Sequence, residues 1–279
     1  MKMAYLFFKR VTLAMAVAAL GVSVLSSCSK KESGGTSDAS SGTPGSVLVL
    51  SGGSMRAPLE KLIREYKKVS HDNIMASYGG SGELCSQIQN SGKGDIYICH
   101  DPFMPWAEKQ GMVDKWFTVG HFKVVVVVPK DNPKHIKSIA DLAKPGIRIG
   151  VGDMTYSTSG QVVKQLLSTV PYGDAIKKNM VSQTKGHQGR CSSVAMGALD
   201  AGFAWSPVAK LYADKLASIP IPEIDELDAI TSATYKESDV RDIKVAVGLL
   251  KNGASNPAAK KFYAFLEERG KKVFAEMGF

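Results

Sequence analysis

The sequence predicts an α/β fold built on mainly parallel sheets flanked by helices, and three observations predict it. First, three stretches share one form, a strand, a tight Gly/Ser turn and a helix start. They are Val47–Leu50 into Ser51-Gly52-Gly53-Ser54, Ile74–Tyr78 into Gly79-Gly80-Ser81-Gly82, and Ile147–Val151 into Ser157-Thr158-Ser159-Gly160. Second, strand and helix patterns alternate from Val47 onward, as crossover connections between parallel strands require. Third, Phe122 to Val128, wholly apolar from Val124 onward, reads as a long buried strand that could cross between two lobes.

The elements follow in order. Strand Val47–Leu50 leads into a helix with Leu59, Leu62, Ile63 and Tyr66 on one face, the spacing of a buried stripe. Ser54 is placed as its N-cap, and Pro58 is tolerable because it lies in the first turn. Strand Ile74–Tyr78 precedes a short helix capped by Ser81 and carrying Leu84 and Ile88. Asp95–Cys99 is a third strand, ended by Asp101-Pro102, and a helix spans Pro105 to Gln110. Tyr97, Phe103, Trp106, Trp116 and Phe117 are read as core or lobe surface. After Phe122–Val128 come strand Ile147–Val151, helix Gln161–Leu167, a strand at Val181, a helix around Val194–Leu199 and strand Gly202–Trp205. Ile219 to Pro222 reads as an edge segment because two prolines exclude a central strand. Ile243–Leu250 is a second crossing candidate, and helix Pro257–Arg269 closes the chain with a turn around Val273. No repeat of solenoid length is present.

The N-terminal segment reads as an address. Lys2, Lys9 and Arg10 precede an apolar run from Val11 to Leu25, too short for a membrane span of about 20 residues. The run closes on Leu25-Ser26-Ser27-Cys28, which resembles a bacterial lipoprotein signal and predicts lipidation at Cys28. Residues 1–27 are then a signal peptide. Residues 28–45, nearly all Ser, Gly, Lys and Thr, are a tether that lacks the apolar surface to order itself. No second apolar run approaches membrane length, so membrane contact is expected through the lipid alone.

The formal charge is +9, of which three sit on Lys2, Lys9 and Arg10, leaving +6 beyond the signal. No basic stripe with interleaved aromatics occurs, so nucleic acid is not implied, whereas an anionic ligand suits the sign. Cys85, Cys99 and Cys191 remain besides Cys28; one pair can close a disulfide, and spacing does not say which. His187 and Cys191 are four apart and Cys99 neighbours His100, but no second ligand pair follows, so no metal site or cofactor is expected. A hydrolase using Ser54 or Cys191 would need a base and an orienting group in reach. The chain has no GxSxG, SxxK or HExxH.

The chemistry the turns share is anion binding. A helix N-terminus has unpaired N–H groups and carries about half a positive charge. Three such ends converging on one cleft, each with a hydroxyl, would hold a small anion. Ser54, Ser81 and Ser159 are the candidate hydroxyl or N–H donors, with Gly53, Gly80 and Gly160 as neighbouring backbone donors; Tyr156 and Thr158 are placed to line the cleft. Arg56 and Arg190 are candidates for a bidentate clamp, which would broaden acceptance toward phosphate-like or carboxylate ligands.

Read in order, the motifs resemble the periplasmic molybdate-binding protein family, a branch of the type II solute-binding proteins of ABC importers. The carrying pieces are Leu50-Ser51-Gly52-Gly53-Ser54, Tyr78-Gly79-Gly80-Ser81-Gly82-Glu83-Leu84, Gly94–Ile98, Val124–Pro129, Ile149–Asp153, Gly197–Phe203, Lys261–Leu266 and Met277-Gly278-Phe279. The resemblance implies a two-lobed periplasmic-binding-protein fold joined by two crossover strands, with residues 46–123 and 242–279 as one lobe and 124–241 as the other. It implies a non-enzymatic, exported, lipid-anchored monomer that delivers a tetrahedral oxyanion, molybdate or tungstate, to an ABC permease. Ser54 and Ser81 match the family's two ligand serines, and Ser159 falls where the second lobe offers a backbone N–H. Trp205 stands where the family has a ligand tyrosine, and His187 lies near the remaining contact. Those departures leave the oxyanion class better supported than molybdate itself, with sulfate-, phosphonate- or carboxylate-type solutes as alternatives through Arg56, Arg190 or Trp205.

Overall fold

The computed structural model describes residues 45–184, 186–228 and 240–279. The expected signal peptide, Cys28 and nearly all of the tether lie outside them. Among the described residues no helix is long and apolar enough to cross a membrane.

The first half of the chain runs β1 (Ser46–Gly52), α1 (Arg56–Tyr66), β2 (Asn73–Gly79), α2 (Ser81–Ser91), β3 (Ile96–His100), α3 (Phe103–Lys109) and β4 (Val113–Phe122). It continues through β5 (Val124–Pro129), β6 (Ile149–Val151), α4 (Thr158–Thr169), α5 (Gly173–Lys178), β7 (Met180–Gln183), α6 (His187–Ala195), β8 (Ala201–Trp205), α7 (Ser206–Lys210) and β9 (Leu216–Ile219). β10 (Ile243–Leu250) and α8 (Pro257–Glu276) close it. Two mixed five-stranded sheets result, in the orders β2-β1-β3-β10-β4 and β7-β6-β8-β5-β9.

In the first sheet β1 lies parallel between β2 and β3, while β10 runs antiparallel to β3 and β4. Gly52 pairs with Gly79, and Ser51 with Ile98, so β1, β2 and β3 end side by side. The turns that follow therefore open on one edge of the sheet, where ligands bind in α/β folds. In the second sheet β6 is parallel to β7 and β8, and β5 is antiparallel to β8 and β9.

The predicted stripe of α1 is buried as expected, with Leu59, Leu62, Ile63 and Tyr66 all inside. Each such side chain contributes about 1.5–3 kcal/mol by leaving water. Tyr66 packs its ring 4.8 Å from Phe262 of α8, which ties the last helix onto the first sheet.

Several expectations are corrected. The run Phe122–Val128 is not one strand: β4 ends at Phe122 in the first sheet and β5 begins at Val124 in the second. Exposed Lys123 is the joint, its backbone exchanging hydrogen bonds with the Ser206 main chain and hydroxyl. β10 is a full member of the first sheet, with Ile243 opposite Phe122, so the return between sheets precedes it. β4 itself was legible only at its last residue, because an edge strand with one wetted face lacks a continuous apolar run. α6 starts at His187 and not near Val194; its buried positions His187, Arg190, Cys191 and Val194 follow helical spacing although two of them are polar. Ser54 and Ser81 do not cap. Ser54 sits in a 3-10 turn, Gly53–Met55, ahead of α1, and the N-cap of α2 is Gly80, so Ser81 is already helical.

Candidate functional site

A cavity of about 580 Å³ opens between the two sheets' turn edges. Its wall on the first sheet's side includes Gly53, Ser54 and Met55 after β1, Gly80, Ser81 and Gly82 after β2, and His100 at the end of β3. Across from it stand Ser157, Thr158 and Ser159 at the start of α4, His187 and Gln188 at the start of α6, and Trp205 at the end of β8. The N-termini of α2, α4 and α6 thus point their unpaired N–H groups at one space. Among the described residues no lysine or arginine lines it, and two carboxylates do: Glu83 accepts from the Gly80 N–H, Asp153 from the Thr155 and Tyr156 N–H groups.

Ser81 is the sharpest feature. Its hydroxyl is buried and has no hydrogen-bond partner. Leaving such a group unpaired costs about 1–3 kcal/mol, and Ser81 lies in the cavity wall. Gly52 makes the space in front of it: a Cβ there would stand 2.6 Å from the Ser81 oxygen. The Ser54 hydroxyl makes no capping bond, since α1 has no side-chain cap.

The opposite wall is bonded within itself. Ser157 caps α4 by accepting from the Gly160 N–H at 3.1 Å, which removes Gly160 from the candidate donors; Gly160 lies behind the lining, packed against the Asp153 carbonyl. His187 accepts at Nδ1 from the Arg190 guanidinium (2.9 Å) and from the Trp205 N–H (3.2 Å). Two donors on Nδ1 place the ring proton on Nε2, which donates toward the Ser159 hydroxyl at 3.4 Å. Burial, then the charge of Arg190 and the proximity of His100, hold the imidazole well below its ordinary pKa, so it is a neutral donor at pH 7. A hydrolytic Ser–His pair needs the reverse tautomer, with Nε2 accepting from the serine. Cys191 is no nucleophile either, because burial pushes its thiol up to about 11.

Trp205, fully buried, is a packed wall. Its ring stacks on His187 at 5.1 Å, lies 4.4 Å from Phe122 and meets the edge of His100 at 5.6 Å. Of the expected arginines, neither lines the cavity. Arg56 is exposed, its guanidinium 4.5 Å over the Tyr78 ring. Arg190 is buried behind the wall, donating to the Phe203 and Thr184 carbonyls, the Thr184 hydroxyl and His187. Burial lowers its pKa only to about 10, so it stays a cation. Ser54, Ser81, Ser159, His187, Trp205, Gly53 and Gly80 are brought together as the sequence placed them, and Tyr156 and Thr158 line the same space. Missed were His100 and Gln188. Gln188 spans the cleft, donating from Nε2 to the Gly53 carbonyl at 2.9 Å. The position of His100, closing the strand beside β1 and its expected turn, was the available signal. Cys85, Cys99 and Cys191 are all free and buried, and no cluster of three metal-ligating side chains occurs among the described residues.

Comparison with known proteins agrees with this architecture. The family described as bacterial extracellular solute-binding protein matches residues 47–279. The molybdate-binding protein ModA of Mycobacterium tuberculosis is 22% identical over 251 residues, covering 84% of each chain. Among solved structures, the periplasmic molybdate-binding protein of Azotobacter vinelandii superposes with a TM-score of 0.64 at 19% identity, covering 83% of this chain and 97% of that one. The sulfate-binding protein SubI of Mycobacterium tuberculosis superposes at 0.62 with 17% identity, covering 84% and 86%. A two-lobed α/β body with a donor-lined cleft, matched over nearly all its described length, is a solute-binding protein and not an enzyme: the chain belongs to the bacterial extracellular solute-binding protein family.

Proposed function

We propose that this protein retains a tetrahedral oxyanion in the cleft and delivers it to an ABC permease. The buried, unpartnered Ser81 hydroxyl carries the reading. Around it stand the Ser54 and Ser159 hydroxyls, the His187 Nε2–H and three helix N-termini, all neutral donors. Donors that meet an anion only when both lobes engage it make the closed state the ligand-bound one. In a cleft sheltered from water such dipoles compensate charge without a fixed cation.

Molybdate and tungstate are the solutes that the likeness to molybdate-binding relatives supports; sulfate is supported by the likeness to a sulfate-binding structure. The cavity volume favours a second reading within the class. At about 580 Å³, with Met55, Phe103 and Trp205 in its wall, it also has the size and apolar surface of sites for small organic ligands. An oxyanion bearing an organic substituent fits that wall.

Residues 46–123 with 242–279 as one lobe and 124–241 as the other accord with sheet membership. Export, with anchoring by a lipid on Cys28 and action as a monomer, completes the reading. Calorimetric titration with molybdate, tungstate, sulfate and phosphate tests it, alongside mass and elemental analysis of solute that co-purifies. Replacing both Ser54 and Ser81 by alanine is expected to weaken the best anion at least tenfold. Unchanged affinity in the folded double variant would refute the site.

A further inference from the structure

Two histidines face this cavity with opposite chemistry. His187 presents a donor, as its Nδ1 partners dictate. His100, at the end of β3 and 8% exposed, has its Nδ1 2.7 Å from the Asp101 carbonyl. A carbonyl only accepts, so the proton sits on Nδ1 and Nε2 carries a lone pair. Nε2 makes no hydrogen bond to the described residues, and His100 lines the cavity. The ring is held edge-on to Phe103, Phe122 and Trp205 at 5.4, 5.5 and 5.6 Å, three uncharged neighbours, and the adjacent Asp101 carboxylate accepts from the Lys244 N–H. The titratable group nearest it across the cleft is His187, itself neutral. Burial holds His100 down to about 4, so it remains an acceptor at neutral pH. Glu83 and Asp153, the carboxylates of the lining, each accept backbone N–H bonds on one oxygen.

We propose that His100 makes the cleft selective for oxyanions that carry an O–H group, of the hydrogen phosphate, phosphonate or phosphate-ester type. The O–H donates to His100 Nε2 while the remaining oxygens accept from Ser81, Ser54, Ser159 and His187. The inference rests on the oxyanion reading above and names the class within it. A fully deprotonated anion such as sulfate or molybdate would set an oxygen lone pair against that of Nε2. An acceptor buried without a donor weakens binding by about tenfold or more. The same logic lets sites built around a substrate hydroxyl reject analogues that lack it.

The test is calorimetry at about pH 6, where phosphate-type anions keep a proton. Phosphate and methylphosphonate are expected to bind at least tenfold more tightly than sulfate and molybdate. His100→Phe, which keeps a ring but removes the acceptor, is expected to bring that ratio toward one; His100→Gln, whose amide oxygen accepts, is expected to retain most of it. Sulfate or molybdate binding as tightly as phosphate in the wild-type protein would overturn the proposal. So would an unchanged ratio in His100→Phe, or a ratio lost equally in His100→Gln. If sulfate or molybdate binds best and the Ser54/Ser81 double alanine variant abolishes it, the oxyanion site stands and the His100 inference falls. If none of the four anions binds, both fall together.

Discussion

The two walls of the cleft differ in how far they are satisfied before a ligand arrives. On the first sheet's side, Ser81 is buried with an idle hydroxyl and His100 offers an unpaired Nε2. On the second sheet's side, Ser159, His187, Trp205 and Arg190 form a continuous hydrogen-bonded array, and Ser157 is bonded separately to the Gly160 N–H. One wall is preorganised through its own bonds and the other is incomplete. The lesson is that affinity should answer to substitutions on the first side, and folding to substitutions on the second.

Arg190→Met is expected to break that contrast most severely. It strips donors from the Phe203 and Thr184 carbonyls and from His187, all in buried surroundings. Chemical denaturation should register a loss of about 4 kcal/mol, since each abandoned acceptor costs about 1–3 kcal/mol. A loss below ~1 kcal/mol would mean that the second wall does not depend on this cation.

Acid should act next, on one buried histidine from each wall, and so blurs the contrast. His100 and His187 have folded pKa values depressed by burial, His100 to about 4 against an ordinary 6.5. The unfolded chain therefore binds more protons between those values, so stability present near neutrality is lost as pH falls from about 6.5 toward 4. His100 alone accounts for about 3 kcal/mol on that shift, and His187 adds to it. Melting temperature followed from pH 7 to 4 should drop, less steeply in His100→Phe; a flat profile would show that neither ring is buried as described.

Ser54→Ala with Ser81→Ala is expected to leave the melting temperature within a few degrees of wild type while weakening the anion at least tenfold, which is about 1.4 kcal/mol. That is the reverse of the Arg190 outcome, and a variant that unfolds instead would erase the distinction between the walls. The smallest effect belongs to Gln188→Ala. It removes the direct bond to the Gly53 carbonyl across the cleft and should cost about 1 kcal/mol of closure, read as a few-fold faster ligand release by stopped flow.

Much of the site was legible beforehand because it is local. A strand, a Gly/Ser turn and a helix start lie close together along the chain in each case, so Ser81 and Ser159 fall where their own turns put them. Ser54 reaches the cavity for a different reason than expected: a 3-10 turn, not a cap, carries it there. The readings that failed concern residues defined by partners far along the chain. Arg190 has the charge of a ligand clamp, but its bonds to Thr184 and Phe203 turn it away from the cavity. Arg56 is drawn onto the Tyr78 ring. His100 drew notice only beside Cys99, because nothing in a window around it reports that β10, Phe122 and Trp205 lie against it. The boundary at Lys123 was hidden too, since apolar residues continue on both sides while the pairing partners change.

Composition and periodicity by themselves determined the α/β class, the buried stripes and the anion-seeking turns, because those depend on neighbours within one or two helical turns. Tertiary structure alone decided which nitrogen of each histidine carries its proton, which arginine faces inward and which hydroxyl is left without a partner. Those outcomes depend on donors and acceptors brought together from separate strands, and a hydrogen bond acts over about 3 Å whatever the distance along the chain.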